Sequence, residues 1–191
     1  MDLSLIIPLL NEEESLPELH EWIKRVMHEN QFSFEIIFID DGSTDDSWEV
    51  IQHLSEKDDH VKAIRFQRNY GKSAALNEGF KAAEGDIIIT MDADMQDPPA
   101  LLPEMTRILE SGEYDSIATR RVSRKGEPVV RSFCARCFYK LIRRISDADI
   151  VDGARDFRMM TRDMVNSVLA LSEYNRFSKG IFGWVGYRTK W

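Results

Sequence analysis

The chain has 191 residues, 43% hydrophobic and 30% charged, ordinary values for a globular protein and enough for one domain with a substantial core. Its formal net charge of −8 argues against a general nucleic-acid binder, which needs a dominant basic surface. Met1-Asp2 is no basic leader, and no stretch approaches the roughly 20 apolar residues that span a bilayer, so neither a signal peptide nor a membrane span is expected within it.

Leu3-Ser4-Leu5-Ile6-Ile7, closed by Pro8, reads as a buried first strand. A polar stretch, Asn11 to Ser15, follows, and then Leu16, Leu19, Trp22, Ile23, Val26 and Met27 recur at helical spacing. The unit repeats with a strand at Phe34 to Ile39, a turn Asp40-Asp41-Gly42-Ser43-Thr44-Asp45 ending in a helix N-cap, and a helix carrying Trp48, Val50, Ile51 and Leu54. A third strand, Val61 to Phe66, leads through Gln67 to Lys72 into a helix with Ala74, Ala75, Leu76 and Phe80. The fourth, Asp86 to Met91, runs into Asp92-Ala93-Asp94-Met95-Gln96-Asp97-Pro98-Pro99, with a helix over Ala100 to Glu110 and a strand near Ser116 to Thr119 beyond. Strands alternating with helices predict an α/β fold, a mainly parallel sheet with helices on both faces. Ligands bind such sheets at the carboxyl ends of the strands, where all these polar clusters fall.

Past residue 119 the pattern changes. From Arg120 to Arg144 there are nine Lys and Arg residues and a single acid, Glu127, which suggests an anionic ligand or a membrane surface. Two apolar series at four-residue spacing, Val129, Phe133, Cys137, Leu141, Ile145 and Val130, Cys134, Phe138, Ile142, describe a helix with a wide apolar face bordered by Arg131, Arg136, Lys140, Arg143 and Arg144. Such a helix either lies in a membrane interface or packs on the core with a solvated basic face. Cys134 and Cys137 form a lone C-x-x-C without a second pair or nearby His, which favours buried packing over zinc and fits a reducing cytoplasm. The last third holds Asp156-Phe157-Arg158, a helix from Arg162 to Leu171 and a Gly- and aromatic-rich tail from Lys179 to Tyr187, and reads as a piece of something longer.

Asp92 and Asp94, two apart on an extended chain, leave on the same side at roughly 6–7 Å. Carboxylates that close repel, so either one is protonated or a cation lies between them; hard oxygen ligands suit Mg²⁺ or Mn²⁺ with phosphate oxygens. Acidic pairs at strand ends also simply cap turns. Gly71-Lys72-Ser73 lacks the earlier glycine of a P-loop, where Phe66 stands, and no strand is followed by G-x-G-x-x-G. A D-x-D phosphatase would need its nucleophilic Asp where this chain has Pro8. A nucleotide-diphosphate site with a metal at Asp92 and Asp94 remains.

Pro8 with Asn11-Glu12, Asp40 to Asp45, Asn69-Tyr70-Gly71-Lys72 with Ala75 and Asn77-Glu78-Gly79, and Asp92 to Pro99 together resemble the family 2 glycosyltransferases of the type A fold. Within that family the chain is most similar to the polyisoprenyl-phosphate glycosyltransferases. The resemblance covers nearly the whole chain and implies an inverting, metal-dependent hexosyltransferase acting on a polyisoprenyl phosphate at the cytoplasmic face of the cell membrane. It implies that Pro8, Asn11, Glu12, Asp40, Asp41, Asn69, Gly71, Lys72, Asp92 and Ala93 bind a UDP- or GDP-sugar, and that Asp92, Asp94 and Gln96 hold Mg²⁺ or Mn²⁺. Arg120, Arg131, Ser132 and, more remotely, Arg176 and Lys179 are implied at the acceptor phosphate, with Arg121, Arg124 and Lys125 in a loop over the site. Asp156 occupies the place of the family's assigned base; the catalytic set is then Asp156, Asp94, Arg120 and Arg131. One catalytic domain is expected, a donor part over residues 1–119 and an acceptor part over 120–191, with transmembrane helices beyond and a homo-oligomer compatible with the resemblance.

Overall fold

The computed structural model describes residues 2–120, 153–171 and 178–191. The basic segment after Arg120, both cysteines and Arg176 lie outside these residues, as does the side chain of Lys179. Among the described residues seven strands form one sheet of order β3-β2-β1-β4-β6-β5-β7. The elements run β1 (Asp2–Leu9), α1 (Leu16–Glu29), β2 (Ser33–Asp40), α2 (Ser47–Lys57), β3 (Val61–Arg65), α3 (Lys72–Ala82), β4 (Ile87–Thr90), α4 (Leu102–Glu110), β5 (Ser116–Arg120), β6 (Ala154–Thr161), α5 (Arg162–Leu169), α6 (Ser178–Trp184) and β7 (Thr189–Lys190).

The continuous apolar runs follow from burial on both faces. Leu3, Leu5 and Ile7 of β1 point to one face with Leu16, Leu19, Ile23 and Met27 of α1 and Leu102, Met105 and Leu109 of α4. Ile6 points to the other, with Ala75, Leu76 and Phe80 of α3 and Met164, Val165 and Val168 of α5. Helix α3 comes very close to the sheet, because a Cβ on Gly79 would stand 2.3 Å from the Ile6 side chain. The first strand does not stop at Pro8 but pairs with β2 through Leu9↔Asp40. Pro8 is tolerated because its missing N–H falls on the β4 side, where the ladder has already ended at Ile6↔Thr90.

From β1 the chain winds outward to β3 and then jumps back to β4 on the other side of β1, with all four strands parallel. This reversal opens a crevice between the carboxyl ends of β1 and β4. The strand β6, unforeseen in the sequence, runs antiparallel between β4 and β5, with Thr90 opposite Arg158. Its reversed direction brings its first residues to the rim where β4 ends. Around Pro98-Pro99 a short 3₁₀ turn, Pro99–Leu101, precedes α4. No helix among the described residues is long and apolar enough to cross a membrane.

At the opposite rim a buried carboxylate joins three elements. Asp58, 5% exposed, pairs with Lys24 Nζ at 2.9 Å, His20 Nε2 at 3.0 Å and His60 Nδ1 at 2.7 Å. Burial opposes its ionisation, but donation from Lys24, His60 and His20 outweighs this and holds the carboxyl well below the usual carboxylate range. A depressed carboxylate contributes stability in full above its unfolded pKa, near 4, and loses it as pH falls through the folded value. Asp58→Asn should therefore lower stability by about 2–4 kcal/mol at pH 7, because it leaves buried donors mismatched. The gap from wild type should narrow as the pH falls below about 4, as read by denaturant unfolding at several pH values; a gap independent of pH would contradict the ionised role.

Candidate active site

Four loops meet at the β1/β4 crevice. A cleft of about 310 Å³ is lined by Pro8, Leu9, Leu10, Glu12, Asp41, Asn69, Gly71, Lys72, Asp92, Ala93 and Asp94, large enough for a nucleotide-sized ligand.

The first two loops are pinned to each other. Asn11, in the left-handed region at φ 57, accepts the Thr44 N–H at 2.9 Å and donates its own N–H to Ser43 Oγ at 2.9 Å. Glu12 donates its N–H to Ser47 Oγ at 2.8 Å, while the Asp45 carboxylate accepts from Ser47 and from the Glu13 N–H. Asp40 is fully buried: one oxygen accepts the Ser43 N–H at 2.8 Å and the other lies 3.5 Å from Arg65 Nε. Asn11 and Asp40, expected in the pocket wall, are not among the residues that line the cleft. Both side chains brace the tight turn at Gly42, φ 78, where Asp40 accepts the Ser43 N–H and Asn11 the Thr44 N–H. Asp41 does border the cleft, and it orders the third loop by accepting the Tyr70 N–H at 2.7 Å and the Gly71 N–H at 2.9 Å.

Lys72 opens α3 and reaches into the crevice rather than into solvent. Its ammonium bonds Asp92 Oδ1 and, at 2.6 Å, Asp156 Oδ2. Burial disfavours its charge, but Asp156 and Asp92 more than compensate and raise the lysine above its ordinary value, so it is a cation at neutral pH. Asp156 thus pairs with Lys72, and its charge also supports that of Arg158. The Thr90 hydroxyl donates to the Asp156 carbonyl at 2.5 Å, fixing this part of β6 to the end of β4.

Beyond β4, Asp94 is exposed and accepts the Gln96 N–H at 3.1 Å, a local turn through Met95 at φ 59. Asp97 is 1% exposed and accepts the Asp92 N–H at 3.1 Å. Arg155 donates to Asp97 at 2.8 Å, to the Gln96 carbonyl at 3.1 Å and to Gln96 Oε1 at 3.1 Å. Burial pushes the Asp97 carboxyl up, with Arg155 acting against it. Arg155 was missed in the sequence because β6 was. Once β6 is a strand, neighbours 155 and 156 must point to opposite faces.

On the Asp156 face of β6, Arg158 is 4% exposed and lies between the rings of Phe182 and Trp191 at 4.9 and 5.3 Å. It donates to Ser116 Oγ at 3.2 Å, and although burial brings its pKa down to about 10 it stays charged at neutral pH. Arg120 sits at the exposed end of β5, opposite Ala154 across a register shift, and is not part of the cleft wall. Arg131, Ser132 and the Lys179 side chain fall outside the described residues.

Asp92 and Asp94 are the groups that could hold a hard divalent cation. Both border the cleft, and the Lys72 ammonium already stands against Asp92, where a positive charge belongs. Among the described residues no three His, Cys, Asp or Glu side chains gather into a cage, so an ion here would complete its shell with phosphate oxygens or water, the habit of Mg²⁺.

Residues 4–169 match the family model for glycosyl transferase family 2. The chain is 43% identical over 188 residues to a putative glycosyltransferase, CsbB, of Bacillus subtilis, covering 98% of this chain and 56% of that protein. It is 36% identical over 189 residues to a prophage bactoprenol glucosyl transferase homolog of Escherichia coli, covering 99% and 61%. It thus spans little more than half the length of these relatives. Among solved structures it is similar to a mannosyltransferase of Pyrobaculum calidifontis in complex with GDP-Man and Mn²⁺, at TM-score 0.69 and 19% identity over 98% of this chain and 53% of that one. A glucosyl-3-phosphoglycerate synthase of Mycobacterium tuberculosis, with Mn²⁺, UDP-glucose and phosphoglyceric acid, gives TM-score 0.62 and 21% identity over 87% and 58%. At these identities the likeness is one of fold.

Proposed function

The chain belongs to glycosyl transferase family 2, and on that premise we propose that it moves one hexose, with inversion, from a UDP- or GDP-sugar to a polyisoprenyl phosphate at the cytoplasmic face of a membrane. The observation that carries this reading is the meeting of Asp92, Lys72 and Asp156 at the rim where β1, β4 and the reversed β6 converge. Relatives named bactoprenol glucosyl transferases, 35–36% identical over 99% of this chain, support the acceptor class.

The reaction requires an acceptor phosphate oxygen to attack the anomeric carbon while the bond from that carbon to the diphosphate breaks. Its second pKa being near 6, the acceptor is already ionised at neutral pH, so no proton need be removed in the step. Asp92, Asp94 and Gln96 would hold a divalent ion, Mg²⁺ or Mn²⁺, which when bound would neutralise charge on the departing diphosphate. Asp41, Asn69, Gly71 and Pro8 form the wall that receives the nucleotide. Lys72 brings a fixed positive charge to the same wall, and Asp156 holds that charge in place. Arg120, Arg131, Ser132 and Lys179 serve the acceptor phosphate, for which planar guanidinium forks are suited. The Lys and Arg residues from Arg120 to Arg144 supply the positive charge that anionic lipid would attract, and a homo-oligomer is compatible with this reading.

Calorimetry with UDP-, GDP- and dTDP-hexoses, with and without Mn²⁺, followed by incubation with a short-chain prenyl phosphate, tests this reading. One donor should bind in a Mn²⁺-dependent way and yield a glycosyl phosphate lipid of inverted anomeric configuration. Transfer to a sugar hydroxyl but not to the phosphate would overturn the acceptor assignment, and binding without any turnover would favour a sugar-nucleotide binding module.

A further inference from the structure

We infer that Arg155 is a positioning residue for the acidic loop after β4, a role that rests on the reading of Asp92, Asp94 and Gln96 as the ligands of a divalent ion. The loop from Asp92 to Pro98 has few anchors of its own. Its internal bonds are the Asp92 N–H to Asp97 at 3.1 Å and the Gln96 N–H to Asp94 at 3.1 Å, and Met95 sits in the left-handed region at φ 59. Such a loop is not rigid by itself.

Arg155 supplies the rigidity from the neighbouring strand. Nη1 bonds both Asp97 Oδ1 at 2.8 Å and the Gln96 carbonyl at 3.1 Å, and Nη2 bonds Gln96 Oε1 at 3.1 Å. One planar group therefore spans the backbone and two side chains of the loop. Asp97 needs this partner, because an unpaired carboxylate at 1% exposure is costly. Through Asp97 the guanidinium fixes the backbone of Asp92. Through Nη2 it sets the amide plane of Gln96 and occupies one of the two lone pairs on Oε1, leaving the second for a ligand role. On the other face of the same strand Asp156 holds Lys72 against Asp92. Two consecutive residues of β6 thus set the first acid of the pair from both sides.

A mere counter-charge would act in the opposite direction. Removing a cation from beside Asp92 and Asp94 should, on charge alone, tighten their grip on Mn²⁺. Removing a positioning residue should loosen it, by the 10- to 100-fold typical of partners that orient metal ligands. Mn²⁺ titration followed by electron paramagnetic resonance, with UDP present and absent, separates the two. Asp94→Ala serves as the control for the site, and melting temperature as the control for folding. Arg155→Met is expected to weaken Mn²⁺ binding about tenfold or more. Arg155→Lys can keep the Asp97 ion pair but not the span to Gln96, so it should fall between Arg155→Met and wild type. If Arg155→Met does not fold, Arg155→Gln, which also removes the cation but keeps an amide donor for Asp97, should weaken binding in the same direction, whereas charge alone would again tighten it. Binding in the folded variants equal to or tighter than wild type overturns the positioning role while the metal reading stands. Loss of the Asp94-dependent signal in the wild-type protein itself overturns both.

Discussion

Asp94→Ala is expected to lower kcat/KM for sugar transfer by about three orders of magnitude while leaving the fold intact. The size follows from the work assigned to the group. A metal that neutralises a departing diphosphate contributes several kcal/mol to the transition state, and each 1.36 kcal/mol is a factor of ten. Asp94 is the cleaner of the two acids to remove. Its carboxylate is exposed and engages the Gln96 N–H of its own turn, so its loss should change stability by no more than about 0.5 kcal/mol. Asp92 also holds the Lys72 ammonium, and replacing it would free a half-buried lysine as well. Mn²⁺ binding and donor affinity measured beside turnover make the result specific. If the variant retains Mn²⁺-dependent turnover near the wild-type rate, the acidic pair is not the metal site.

The donor half of the fold is legible in the sequence because its strands are short, mainly apolar runs set between helices of 3.6-residue period. Leu3 to Ile7, Phe34 to Ile39 and Ile87 to Ile89 are short, rich in Ile and closed by turn residues, which marks them as strands, and their side chains divide between the two cores. The polar residues at their carboxyl ends then have one rim to occupy. The strand β6 is hidden because Ala-Arg-Asp-Phe-Arg-Met-Met-Thr carries three charged groups, Arg155, Asp156 and Arg158, among its apolar ones and shows neither a continuous apolar run nor a clean alternation. Its Arg158 is paired with rings rather than with water, a solution that no hydropathy pattern announces. For the same reason the antiparallel return that brings Asp156 to Asp92 is invisible to a reading based on parallel units.

Within the site, residue type indicated chemistry better than it indicated position. Asp40, Asp41 and Asp45 are adjacent acids in one turn, yet only Asp41 borders the cleft; Asp40 and Asp45 satisfy backbone N–H groups of the turn. Which of them does which depends on the direction each side chain takes in the turn around Gly42, a tertiary matter. Lys72 could equally have met solvent, and what decides is the pull of two carboxylates delivered by strands 20 and 84 residues further along. The helix expected over Val129 to Ile145 and the acceptor arginines from Arg121 onward lie outside the described residues, so they rest on the sequence pattern.

Asp156→Asn should reduce kcat by about two orders of magnitude and leave the pH dependence of the rate almost where it was. The amide has the same shape and keeps an oxygen for Lys72 and the Asp156 backbone bond to Thr90 is untouched, so only the charge changes. If the carboxylate's task is to fix the Lys72 ammonium and the field at the reacting centre, the loss appears in kcat and in donor KM at every pH. The acid limb of the profile then belongs to the acceptor, whose phosphate must lose its second proton near pH 6 before it attacks. Lys72, raised above its ordinary value, does not titrate in this range. A prenyl phosphonate of higher second pKa should shift the limb upward in both wild type and variant. An acid limb that vanishes in Asp156→Asn, or that ignores the acceptor's pKa, would instead make Asp156 the titrating base and assign the proton removal to it.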